Sequence, residues 1–272
     1  MPIIDADRPI TDVQTDEYGF AEMAKKLAPS IAELASGESV VFGIEGPWGS
    51  GKTSFLNFLR SSLETDQKPH VVTLAPWLMG DSRNLVSALI ASMAPILEDL
   101  EAKDPAKRWY ARKSKAVRTA DLLKRYAVMT GRGLGPLAKM TGLAVPGLGV
   151  VGDAIALGTN TLEGLQGPSE TKVKESIATR IRELNARFII LIDDRDRLEP
   201  HQAVEVVRLV RSVADFPNVA YVLCYDRAIL GHALEIGLSV KDGDLFLQKI
   251  VQLTFGCPCR SHSIFGSRLE RS

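Results

Sequence analysis

Apolar positions along this chain return with two different periods, and the alternation between them sets out the elements. From Phe20 onward, Met23, Ala24, Leu27, Ile31 and Leu34 fall near one helical face. Pro29 interrupts that pattern and predicts a kink or the start of a new helix. Residues 1–18, before it, read as an extended polar lead-in. Gly37 closes the helical segment, and Ser39–Ile44 reads as the first strand. Phe55, Leu56, Phe58 and Leu59 restore helical spacing as far as about Leu63. His70–Leu74 reads as a second strand, and Leu85 to Leu100 as a helix. A long helical pattern runs from Lys172 to Asn185. The next stretch, Arg187 to Ile192 (RFIILI), is a nearly continuous apolar run, as expected of a strand buried on both faces of a parallel sheet. A helix from about His201 to Ala214 turns Val204, Val207, Leu209, Val210 and Val213 largely inward. Asn218 to Cys224 and Lys249 to Phe255 complete the strands. Strands that alternate with helices predict an α/β fold: a doubly wound, mostly parallel five-stranded sheet between two helical layers.

The connection between the second and third strands is long. Residues about 101–170 read as a helical and glycine-rich insertion in a domain spanning 1–256. Its first part is basic, with Lys103, Lys107, Arg108, Arg112, Lys113, Lys115, Arg118, Lys124 and Arg125. Its second part, Gly131 to Gly158, is apolar and rich in glycine. A membrane span needs about twenty consecutive apolar residues. Lys139 and Asp153 interrupt this run, and Pro136 and Pro146 break helices within it. The favoured reading is a small helical insertion packed on the domain. Basic residues beside an apolar run also suit a lipid surface, so membrane contact through 131–158 is the second reading. Nucleic acid is a third reading of the basic stretch, weakened by Glu101, Asp104 and Asp121.

The chemistry starts where the first strand hands over to the following helix. Gly46 to Ser54, GPWGSGKTS, fits G-x-x-x-x-G-K-[ST] at Gly46, Gly51, Lys52 and Thr53, in the strand–loop–helix setting that this motif requires. Phosphate oxygens need several aligned donors at close range. Gly46, Gly49 and Gly51 carry no side chains to block that approach, so the backbone N–H groups of Gly46, Pro47, Trp48, Gly49, Ser50, Gly51, Lys52, Thr53 and Ser54 (proline excepted) line a nest. The helix N-terminus adds partial positive charge. Lys52 is expected to reach the β- and γ-phosphates, and the Thr53 hydroxyl to ligate Mg²⁺. Downstream, the RFIILI strand ends in Asp193-Asp194, at the edge where open α/β sheets hold their ligands. Asp193 is expected in the Mg²⁺ shell, directly or through water, and Asp194 as the group that orients or deprotonates an attacking water. The plain alternative for both is a pair of turn or capping acids.

Composition changes this picture little. The chain has 272 residues, and 45% of them are hydrophobic, enough for one large α/β domain. Lys+Arg and Asp+Glu both number 33, so no global charge draws it to nucleic acid or anionic membrane. Cys224, Cys257 and Cys259 make no disulfide framework, which suits a reducing cytosol. The first residues have acids and no long apolar core, and do not read as a secretory signal. The expected location is therefore cytoplasmic, with peripheral attachment at the inner face of the membrane as the alternative.

The order of elements resembles the additional-strand group of P-loop NTPases, which includes AAA+ and STAND proteins. That resemblance implies strand order 5-1-4-3-2, with the fourth strand between the P-loop strand and the acidic strand. It also implies that Asp226, or Tyr225, lies near the γ-phosphate as a sensor; a helix cap is the equal alternative for Asp226. No Asn-Lys-x-Asp stretch is present to read guanine, and the acidic strand ends in DD, not D-x-x-G, so ATP is the expected nucleotide. More narrowly, the chain resembles the KAP family of P-loop NTPases. The matching segments are DRPI at Asp7, the D-x-x-G-F stretch ending at Phe20, GIEGPWGSGKTSFLNFL from Gly43, and APWL around Trp77. IDDRDRLEP from Ile192, FPNVAYVLCYDR from Phe216 and KIVQLTF from Lys249 also match. Arg195 stands where the family usually has an aliphatic residue.

The resemblance implies an intracellular ATPase, and bacterial members are associated with phage exclusion or defence; with the Mg²⁺ site read from Thr53 and Asp193, a Mg-dependent ATPase is expected. Three functions follow as expectations: an ATP-driven switch read by a protein partner or by self-association, an ATP-stabilised scaffold with little turnover, and a membrane-associated exclusion factor. Residues 257–272 depart from the family pattern and are expected to be a disordered or truncated tail. Cys257, Cys259 and His262 make at most a weak metal site.

Overall fold

The computed structural model describes residues 9–65, 69–76, 85–103, 119–131, 170–193 and 199–257. A short 3₁₀ turn (Val13–Thr15) precedes α1 (Phe20–Leu34), β1 (Val40–Glu45), α2 (Lys52–Thr65) and β2 (His70–Leu74). Then come α3 (Leu85–Lys103), α4 (Thr119–Gly131), α5 (Glu170–Glu183) and β3 (Phe188–Ile192). The chain continues through α6 (Pro200–Arg208), a π-helical turn (Leu209–Val213), β4 (Val219–Tyr225), α7 (Arg227–Leu238), α8 (Gly243–Gln248) and β5 (Leu253–Gly256).

The strands form one sheet in the order β2-β3-β4-β1-β5, and each neighbouring pair is parallel. This is the expected order 5-1-4-3-2 read from the other edge. Every residue of β3 and β4 is buried, which explains why their sequences read as apolar runs and do not alternate. Alternate residues face two cores. Phe42, Ile44, Ile189, Leu191, Val222 and Cys224 pack under α1 and α2. Val41, Phe188, Ile190, Tyr221, Leu223 and Tyr225 pack under the remaining helices on the opposite face. The three layers of an α/β/α sandwich follow from this period of two. Helices α3, α4 and α5 lie between β2 and β3 in the chain and bury Leu89, Met93, Leu123, Tyr126, Ile177 and Ile181 in that second core.

The structure corrects several local expectations. One helix runs through Pro29, which lies at an exposed position, so the proline does not start a new helix. The fifth strand is only Leu253–Gly256, not Lys249–Phe255. Ile250 and Val251 turn into the core instead, and the Gln252 side chain accepts the Val41 N–H at 2.7 Å where a strand carbonyl would have done so. The helix predicted to Ala214 leaves α geometry at Leu209, and the Tyr221 hydroxyl donates to the Ala214 carbonyl at 2.6 Å just past the π turn. The six-residue α8, capped by Asp242, was not expected from periodicity. It packs so closely on α7 that a Cβ on Gly243 would lie 1.9 Å from the Gly231 carbonyl oxygen.

Candidate functional site

The P-loop leaves the C-terminal end of β1 between two neighbours. On one side, the Gly46 N–H donates to the Tyr225 carbonyl at 3.2 Å. On the other, the Cys257 N–H donates to the Glu45 carbonyl at 2.6 Å. Beneath the strand, the Tyr225 hydroxyl donates to Glu45 Oε1 at 2.7 Å. Gly43 makes room for that hydroxyl, since a Cβ there would lie 2.8 Å from it. The loop is thus gripped by β4 and by the residue after β5 before it turns.

Within the loop, Gly49 and Gly51 have φ of +78° and +89°, values that L side chains rarely adopt. A Cβ on Gly46 would lie 2.5 Å from Ser50 Oγ, and one on Gly51 would lie 2.7 Å from Phe20 Cε2. Backbone shape therefore favours glycine at 49 and 51, the Phe20 ring crowds a side chain at 51, and one at 46 would have to displace the Ser50 hydroxyl. The α2 ladder begins with the Phe55 N–H donating to the Gly51 carbonyl at 2.9 Å. The amides of Thr53 and Ser54 belong to the first turn, which has no intrahelical acceptor. Ser50 Oγ is buried with no hydrogen-bond partner among the protein groups.

Among the described residues Lys52 is the only buried lysine or arginine, at 8% exposed. Its Nζ donates to the carbonyls of Gly46 (2.8 Å) and Pro47 (3.1 Å), so the ammonium sits over the loop it follows. Thr53 is partly buried, and Trp48 stands out at 76% exposed. The orphaned Ser50 hydroxyl, the side-chain-free cradle and the inward ammonium together fit a phosphate chain.

Asp193 directly follows β3, at the same sheet edge, and is partly buried. Its N–H reaches the Leu74 carbonyl at 3.4 Å, which continues the β2–β3 ladder by one residue. Asp194 lies outside the described residues, as do Arg195, Trp77, residues 132–158 of the apolar stretch, Cys259 and His262. Among the described residues no group of three or more His, Cys, Asp or Glu gathers as a metal site. Mg²⁺ held by one hydroxyl, one carboxylate, substrate phosphates and water would need no such group; Thr53, in the first turn of α2, and Asp193, just after β3, are the side chains that would offer the hydroxyl and the carboxylate.

Asp226 follows β4 and is brought directly to the loop. Its Oδ2 accepts from the Trp48 N–H at 3.2 Å. Its Oδ1 accepts from Ala228 N (3.0 Å) and Ile229 N (3.3 Å), so it also caps α7. Arg227, the next residue, lies with NH1 3.9 Å from Glu45 Oε1 and with Nε 3.2 Å from Asp244 Oδ2. The Asp244 hydrogen bond and charge raise the Arg227 pKa further.

Periodicity did not point to the support behind the loop. Asp16 accepts from Tyr18 N (3.2 Å) and Ala21 N (2.7 Å), and Gly19 has a φ of +71°, so the D-x-x-G-F stretch is a helix start that aims Phe20 at Gly51. Ahead of it, the Ile10 N–H donates to Ser54 Oγ at 3.0 Å, and Asn57 Nδ2 donates to the Ile10 carbonyl at 3.4 Å. No helix among the described residues is long and apolar enough to cross a membrane.

Residues 20–272 match the model of the KAP family P-loop domain. The chain is 37% identical over 257 residues to the phage T7 exclusion protein of Escherichia coli (strain K12). That match covers 93% of this chain and 34% of the relative, so the chain spans about a third of that protein's length. Among solved structures, it is similar to the Aeropyrum pernix ORC2 protein in its ADPNP–ADP complexes and its ADP form. The TM-scores are 0.42 and 0.40, at 9% and 8% identity, covering 92% and 86% of this chain and 51% and 47% of those chains.

Proposed function

This chain belongs to the KAP family of P-loop NTPases, and from that premise we propose that it binds ATP with Mg²⁺ and hydrolyses it, acting as a switch in phage exclusion or defence. The observation that carries the nucleotide reading is the P-loop itself: a cradle closed to side chains at Gly46 and Gly51, with the Lys52 ammonium 2.8 Å from the Gly46 carbonyl. Lys52 exchanges those carbonyls for phosphate oxygens, a short move for a long flexible side chain. The Thr53 hydroxyl and Asp193 hold the metal's protein side. Mg²⁺, when bound, supplies neutralisation of phosphate charge. Asp194 is the candidate to orient the water, and Asp226, which accepts from the Trp48 N–H, is the candidate to sense the γ-phosphate. The exclusion or defence role rests on the 37% identity to the phage T7 exclusion protein. A partner protein, or a second copy, reads the state of the switch.

Calorimetry and phosphate release test this. Lys52→Ala is expected to abolish ATP binding, whereas Asp194→Asn keeps binding and slows turnover. ATP affinity left unaltered by Lys52→Ala would overturn the site assignment.

A further inference from the structure

The Trp48 amide belongs to a loop whose N–H groups serve a phosphate, yet it donates to a carboxylate, Asp226 Oδ2, at 3.2 Å. A carboxylate oxygen and a phosphate oxygen are both anionic acceptors seeking the same donors. They also repel each other at close range. The position of Asp226 is not accidental to one side-chain rotamer. Glu45 and Tyr225 are paired in the parallel register, so the residues that follow them leave the sheet side by side. The other carboxylate oxygen is engaged by the first-turn amides of α7, at 3.0 Å and 3.3 Å, which holds the group in place.

We infer that Asp226 is a competitive latch: a built-in anion that binds the P-loop through the Trp48 amide and opposes the entry of nucleotide phosphates. Phosphate binding expels Oδ2 from the loop while Oδ1 keeps the cap, so occupancy of the loop is passed to the start of α7. This inference rests on the nucleotide reading above and concerns how that same site is regulated. It assigns Asp226 a role before chemistry, as a positioning residue acting through Trp48.

Asparagine separates the two contacts. It caps helices as well as aspartate does, but it has one acceptor oxygen and no charge, so it cannot hold the cap and accept from Trp48 together. In the nucleotide-free full chain, Asp226→Asn should speed amide exchange at Trp48 and leave Ala228 and Ile229 protected, while Asp226→Ala should lose protection at all three. Calorimetry with ATP·Mg should show Asp226→Asn binding more tightly by about tenfold, the worth of one displaced charge-assisted hydrogen bond. Unchanged Trp48 exchange in Asp226→Asn, or ATP affinity that is equal or weaker, overturns the latch. If wild type and Lys52→Ala both fail to bind ATP, it is the nucleotide reading that fails, and Trp48 exchange still decides whether the latch exists.

Discussion

The ring of Phe20 stands where a side chain at Gly51 would have to go. A Cβ on Gly51 would lie 2.7 Å from Phe20 Cε2, on a residue whose φ is +89°. Phe20 opens α1 and Gly51 immediately precedes α2, so the packing of these two helices sets the shape of the loop. Gly51→Ala should destabilise by about 1–2 kcal/mol from the left-handed backbone alone, with more from the clash, and should weaken ATP binding. Phe20→Ala, at a residue only 2% exposed, should cost about 3–5 kcal/mol and loosen the loop as well. Thermal melts together with ATP calorimetry check both; wild-type behaviour of Gly51→Ala would contradict the packing argument.

Metal dependence distinguishes Thr53 from its neighbours. Wild-type affinity for ATP should fall when EDTA removes Mg²⁺. In Thr53→Ala, affinity should already be low and should no longer respond to EDTA, while Thr53→Ser, which keeps the hydroxyl, should respond as wild type does. Titrations with and without Mg²⁺ read this directly.

Tyr221 is fully buried, and its hydroxyl donates to the Ala214 carbonyl at 2.6 Å. Burial raises its pKa, so the hydroxyl stays protonated and the bond persists at alkaline pH. Tyr221→Phe should lower the urea midpoint by the equivalent of about 1–2 kcal/mol with an unchanged slope. The loss reports how firmly the π turn is held to the central strand.

His70 starts β2, with its ring 5.5 Å from that of Phe188. Burial holds its pKa below the ordinary value of 6.5; nearby Asp99 opposes this and Lys103 adds to it. The unfolded chain therefore takes up the proton more readily than the folded one. Stability from this group is fully present above pH about 6.5 and declines as pH falls through that value toward the lower folded pKa. His70→Asn should flatten the difference in melting temperature between about pH 7.5 and about pH 5.5, on either side of the ordinary histidine value, with the mutant-minus-wild-type comparison cancelling the other titrating groups.

Much of the architecture was legible because its signals are local. β3 and β4 are buried on both faces, so a run such as RFIILI announces itself. The P-loop needs only a strand, three glycines and a helix start in sequence. What periodicity missed depends on distant partners. Nothing near Gln252 indicates that its side chain would complete the pairing of Val41. Gly43 reads as one more position of the first strand until β4 is placed beside it and the Tyr225 hydroxyl takes up the space. The D-x-x-G-F stretch was visible as a resemblance, but its purpose is a contact between residues 20 and 51. Pro29 reads as a kink or a new start because sequence alone does not show that its position on α1 is exposed.

The sheet order also carries a consequence for synthesis. β1, which ends at the P-loop, pairs only with β4 and β5, and the bond from Tyr225 to Glu45 spans 180 residues of chain. At about 5–20 residues per second, the ribosome takes on the order of ten seconds or longer to supply those partners after making the loop. Throughout that interval GPWGSGKTS exists as a string of residues with no floor beneath it. Competence to hold a nucleotide therefore waits until β4 and β5 are made and close around β1.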